Sequence, residues 1–131
     1  MGSTQLKQGV RLDGLQPAGA RIFATVDNCA RSLNLDQLVT CGTDSHGPSD
    51  PHTRGVALDI GVKRFTPSVT VKVYAYLSAA LGSLFTVLYE TPELPLDPDL
   101  QAIATVNPKA SAPHVHIQLK KGISDWPPVH V

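Results

Sequence analysis

Apolar residues recur along the chain with two periods, and the periods mark the elements. Ile22, Val26, Cys29 and Leu33 follow one another at helical spacing, with Arg21, Asp27 and Arg31 on other faces. Pro17 suits a first helical turn and Asn34 a left-handed stop, so the pattern predicts a helix over 17–34. Leu38-Val39-Thr40-Cys41 is a short β-type run ending at Gly42. Residues 55–62 are mostly apolar and small, which suits a strand covered on both faces. Thr66-Pro67 reads as an N-cap followed by a first-turn proline. An apolar face from Val69 through Val73, Tyr76, Leu77, Ala80 and Leu81 then predicts a second helix, which Gly82 ends. Leu84 to Tyr89 is rich in β-branched and aromatic residues and predicts a third strand. In the fourth strand, Val115 to Leu119, apolar positions alternate with His114 and His116, which places both histidines on one face.

Between these elements lie three less regular stretches. Residues 1–15 read as an extended entry, with Val10 and Leu12 flanking Arg11. Residues 42–51 form a polar loop. Residues 91–112 are punctuated by Pro92, Pro95, Pro98 and Pro108, with a short element expected around Leu100 to Val106. Connections this long are uncommon in compact domains and are often functional. The tail from Trp126 to Val131 reads as a surface-packed terminus. The expected architecture is one α+β domain over 1–131, with a small, mostly antiparallel sheet and two main helices.

Composition narrows the function classes. With 131 residues the chain is long enough to bury a core without disulfides. Its 42% hydrophobic and 17% charged residues are those of a globular protein rather than a disordered one. The formal net charge is zero and no basic run stands out, so nothing points to nucleic acid. No apolar run reaches the length of a membrane span. The polar start has no apolar core of a signal peptide. Cys29 and Cys41 are too far apart for a C-x-x-C pair and read as two small buried hydrophobes.

The chemistry concentrates in two segments. His52 is followed seven positions later by Asp59, with Gly55 and Ala57 between, and far downstream comes His114-Val115-His116. A catalytic zinc uses three protein ligands drawn from nitrogen, sulfur and carboxylate donors. His52, Asp59 and His116 supply such a set, provided that the chain bends between the first two. Gly55 removes a β-carbon at that bend. His114 shares the face of His116, next to the metal without necessarily binding it.

The series Gly42-Thr43-Asp44-x-His46, then His52-x-x-Gly55-x-Ala57-x-Asp59-Ile60, a helix, a strand ending in Tyr89-Glu90, and His114-x-His116 resembles a known superfamily. It is the zinc-peptidase superfamily of D-Ala-D-Ala carboxypeptidases, murein and phage endolysin peptidases, lysostaphin-type endopeptidases and the hedgehog amino-terminal domain. The resemblance covers residues 10–120. It implies a hedgehog/D-Ala-D-Ala peptidase-like fold, and Zn2+ held by His52, Asp59 and His116. It places His114 beside the catalytic water, makes Glu90 the general base and matches His46 to a histidine in the loop before the first ligand. Asp44 is then an orienting acceptor for a ligand imidazole, or closes a turn. The implied substrate is a peptidoglycan stem peptide, cleaved at the cell wall. A non-catalytic zinc module and a phage structural or lysis component are the alternatives. Asp50 stands where the family usually has serine, and Thr53 where it has an aromatic residue. The arginine that holds a substrate's end in carboxypeptidases has no match between residues 38 and 46, which leaves Arg54 or Arg64 to take that part.

Overall fold

The structure, a computed structural model, describes residues 2–43 and 50–123. Strand β1 (Ser3–Leu6) leads into helix α1 (Pro17–Leu33), which returns through β2 (Asp36–Cys41). Strand β3 (Ala57–Gly61), helix α2 (Pro67–Leu81) and β4 (Phe85–Thr91) follow. The short α3 (Pro98–Ile103) runs directly into β5 (Ala104–Val106), and β6 (His114–Leu119) comes last. The six strands form one sheet in the order β1-β2-β3-β6-β4-β5.

This is a single small α+β domain. Its sheet is mixed rather than mostly antiparallel. The pairings β2–β3, β3–β6 and β6–β4 are antiparallel, whereas β1–β2 and β4–β5, one at each edge, are parallel. Each parallel pair has a helix between its strands, as a crossover requires. Both edge strands are short and carry no alternation, so periodicity does not reveal them. Ser3-Thr4-Gln5-Leu6 is largely polar, and Ala104-Thr105-Val106 falls inside the stretch that the prolines mark as a connection.

Both main helices start and stop where the sequence says. Pro17 opens α1, and Asn34 closes it at φ 54° in the left-handed region. The Thr66 side chain accepts from the Val69 N–H at the start of α2, and Gly82 caps its end. α3 is capped by Asp97, whose Oδ1 accepts from the N–H groups of Asp99 and Leu100.

The core lies between the helices and one face of the sheet. Ile22, Val26 and Cys29 of α1, and Val73 and Leu77 of α2, pack on Val39, Leu58, Ile60, Val115 and Ile117. Every second residue of β3, β6 and β4 faces that core. The residues between them, Asp59, His114, His116 and Glu90, therefore face the other side, away from the helices. Alternation along three central strands is what brings the polar chemistry together on one surface.

Candidate metal centre

The sheet register builds the site. Asp59 on β3 lies directly opposite His116 on β6, and His114 lies opposite Glu90 on β4. The 24-position separation of Glu90 and His114 thus counts for nothing in space. The residues between are spent on α3, β5 and the turns around them, while β4 and β6 remain neighbours. His114 is also opposite Gly61, where no side chain competes for space.

His52 reaches the same place from the loop before β3. That loop is a series of tight turns, with the Arg54 N–H donating to Asp50 O, the Gly55 N–H to His52 O and the Val56 N–H to Pro51 O. Gly55 sits at φ 78°, and a Cβ there would run into the Gly14 carbonyl oxygen. The bend therefore requires glycine twice over, for its backbone conformation and for the close approach of residues 14–16. The Gly55 carbonyl in turn accepts from the Gln16 N–H at the start of α1, which ties the loop to the helix.

One carboxylate oxygen is the focus. Asp59 Oδ1 accepts from His116 Nδ1 at 2.7 Å and from His52 Nε2 at 3.0 Å. The two imidazole rings meet edge to face, their centroids 5.0 Å apart. Behind each ring stands a second acceptor. His52 Nδ1 and the His52 backbone N–H both donate to Asp50 Oδ1 at 2.9 Å, and His116 Nε2 donates to Gln118 Oε1 at 2.7 Å. His114 Nδ1 donates to the Ala112 carbonyl at 3.1 Å, and its Nε2 lies 3.0 Å from Glu90 Oε1 and 3.8 Å from Asp59 Oδ2. The side chains of His52, Asp59, His114, His116 and Glu90 are only 7–18% exposed, so solvent screens these charges weakly.

The electrostatics express a demand for positive charge. Burial pulls the His52 pKa down, but its hydrogen bonds to the Asp59 carboxylate and then to the Cys41 side chain outweigh it, and the value is pushed up to about 11. His116 is likewise lowered by burial and raised more by Asp59, for a net rise. Burial raises Asp59, and the hydrogen bonds from His116 and His52 overcome this and hold it well below the usual carboxylate range. With acceptors at both nitrogens, each imidazole satisfies its surroundings fully only as the doubly protonated ring.

A divalent cation would answer the same demand. Each histidine would then turn one nitrogen lone pair, Nε2 of His52 and Nδ1 of His116, to the metal. Its other N–H would keep its acceptor, Asp50 or Gln118. An acceptor behind each ligating imidazole is the arrangement that fixes tautomer and ring orientation in metal sites. The donor set therefore fits a metal, and Cys41, His52 and Asp59, whose ligand atoms all lie within 4.8 Å of one another, could hold one.

The structure thus gathers His52, Asp59, His116, His114 and Glu90. Asp44 and His46 lie outside the described residues. Among the described residues the Arg54 side chain makes no hydrogen bond or ion pair with the metal-ligating groups. It lines a cleft of about 300 Å³ with Pro51, Gln118, Lys120 and Lys121, and Gln118 joins this cleft to the His116 ring. Three participants had gone unassigned. Asp50 had figured only as a departure from a pattern, although its place two residues before His52 suits a side chain that closes a turn onto that residue. Gln118 continues the period-two row of His114 and His116, a visible signal. Cys41 had been read with Cys29 as a buried hydrophobe. Cys29 is one, at 0% exposure against Gln37, but Cys41 is half-buried at the edge of the site.

A scan against models of known protein families finds no match to this chain, and neither curated proteins nor solved structures include one that matches it.

Proposed function

We propose that the chain is a zinc-dependent peptidase that hydrolyses a peptide bond in bacterial cell-wall peptidoglycan. The observation that carries the proposal is the convergence of His52, Asp59 and His116 on a single carboxylate oxygen, with the Glu90–His114 pair beside it. The order of these residues resembles that of the superfamily named above, and their convergence on one surface supports the reading. A bound zinc acidifies water and polarises a carbonyl at its open position.

The protein's own groups do the rest. Asp50 and Gln118 hold the His52 and His116 rings in the tautomers that leave one lone pair for the metal. Glu90 and His114 handle the proton. His114 Nδ1–H is held by the Ala112 carbonyl, which turns Nε2 towards Glu90 Oε1 at 3.0 Å. Glu90 takes a proton from the attacking water and passes it to the departing amine. The His114 imidazole donates to charge that develops on the carbonyl oxygen. Arg54, together with Lys120 and Lys121, gives the neighbouring cleft a positive rim that suits a stem-peptide carboxylate.

The test is digestion of purified peptidoglycan by the zinc-loaded protein, with release of new amino groups as the readout. Replacing Glu90 by Gln should lower the rate by about 10²–10⁴-fold while zinc stays bound at one per chain. Undiminished hydrolysis by that variant would move the base role to His114. No release of amino groups by the wild-type protein, with or without chelator, would sink the peptidase reading. A second reading, a zinc module without turnover, is favoured by one feature, the thiol of Cys41 at the edge of the site.

A further inference from the structure

Cys41 sits where strand alternation alone would not put it. In β2, Gln37 and Val39 face the helices and are buried. Two residues on, Cys41 should face them too. It does not, because the β2–β3 register shifts between Val39 and Cys41. Val39 pairs with Ile60, and Cys41 pairs with Asp59. The extra residue, Thr40, is a β-bulge, a device that re-aims a side chain and is over-represented beside active sites. Here it turns Cys41 onto the face that carries Asp59 and His116. Cys41 Sγ lies within 4.8 Å of ligand atoms of both His52 and Asp59, and it is one of the groups that raise the His52 pKa.

We propose that Cys41 is a fourth protein donor to the metal, a thiolate that completes a Cys41–His52–Asp59–His116 set and closes the site in the resting protein. The proposal rests on the metal reading above and adds to it. Three protein donors leave a position for water, whereas four are the mark of a closed, structural zinc. Sulfur is a soft donor that zinc accepts readily. Turnover would then need the Cys41 sulfur to yield its position to water or substrate. This makes Cys41 the residue that separates the peptidase from the module without turnover.

Cobalt substitution reads the bond directly, because a thiolate bound to Co(II) gives an intense near-ultraviolet charge-transfer band. The wild-type chain loaded with one Co(II) should show the band, and Cys41→Ser should lose it while keeping its cobalt and its far-ultraviolet circular dichroism. Wild-type protein that binds cobalt without the band overturns the fourth donor and leaves the His52–Asp59–His116 site standing. Wild-type protein that binds neither cobalt nor zinc in equilibrium dialysis overturns the metal reading as well. Alkylation with iodoacetamide, mapped by mass spectrometry, supplies a second measurement on the unsubstituted chain. Cys29 is fully buried, and burial pushes its thiol pKa up, so it should react slowly in every state. Cys41 should react in the metal-free protein and be protected by zinc. Equal alkylation of Cys41 with and without bound zinc overturns the proposal.

Discussion

Asp50 shows how much one side chain contributes to a site it would not itself ligate. Its Oδ1 accepts from both the His52 backbone N–H and the His52 ring, so it sets the turn and the ring orientation together. Replacing Asp50 by Ala should lower zinc affinity by about 10–100-fold, the usual cost of losing such a partner. Competition with a chromogenic chelator measures this, and Asp50→Asn, which keeps an acceptor oxygen, should recover part of it. Gln118 stands in the same relation to His116, and Gln118→Ala should weaken zinc binding in the same direction. His52, Asp59, His114 and His116 were legible from spacing and alternation. Asp50 and Gln118 were visible too, but their parts depend on which ring nitrogen faces which neighbour, and spacing does not encode that.

At the scale of elements, residues 50–56 are where backbone conformation places His52. Gly55 occupies a positive φ with no room for a Cβ. Gly55→Ala should destabilise the fold by about 1–3 kcal/mol and move His52 away from Asp59. The first effect appears in urea denaturation and the second as weakened zinc binding. Both long helices and β6 were readable because each buries one face and so repeats with its own period, and β2, β3 and β4 because they are short apolar or β-branched runs. The edge strands β1 and β5 were not. An edge strand of three or four residues has too few positions to show a period, and its pairing comes from the strand beside it. The bulge at Thr40 is harder still, since a sequence in strict alternation and one that slips by a residue look the same until the partner strand is known.

For the whole molecule, the site links stability to protons and, on the proposed reading, to metal. Without metal, His52 and His116 have raised pKa values, so the stabilisation they supply is full below the unfolded value of 6.5. For His52 it is lost as pH rises towards about 11. Asp59 is lowered, so its contribution is full above the unfolded value of 3.8 and is lost as pH falls. The metal-free protein should gain most from these three groups between pH 3.8 and 6.5. Zinc has the opposite dependence on the alkaline side, because it competes with the protons on the two rings, and its affinity should rise with pH. Thermal unfolding with and without zinc across this range checks both statements. Zinc at one hundred times its dissociation constant should add about 2.7 kcal/mol, and more strongly buffered free zinc should add more. A stabilisation by zinc that shrinks as pH rises from 6 to 8 would contradict the assignment of the ligands. Among the described residues no helix is long and apolar enough to cross a membrane.

By itself the sequence determined the class of domain, the two capped helices, the four central strands and the row of histidines, because each follows from local periodicity or from residues within one turn of each other. The segment from His52 to Asp59 was legible for the same reason, with both donors and the glycine between them in one short stretch. Tertiary structure alone decided the rest. It set Glu90 against His114 across 24 residues, gave the sheet its parallel edges, and swung Cys41 onto the face of Asp59. All three depend on which strands become neighbours and in what register, and that is settled by the packing of the whole core rather than by any one segment.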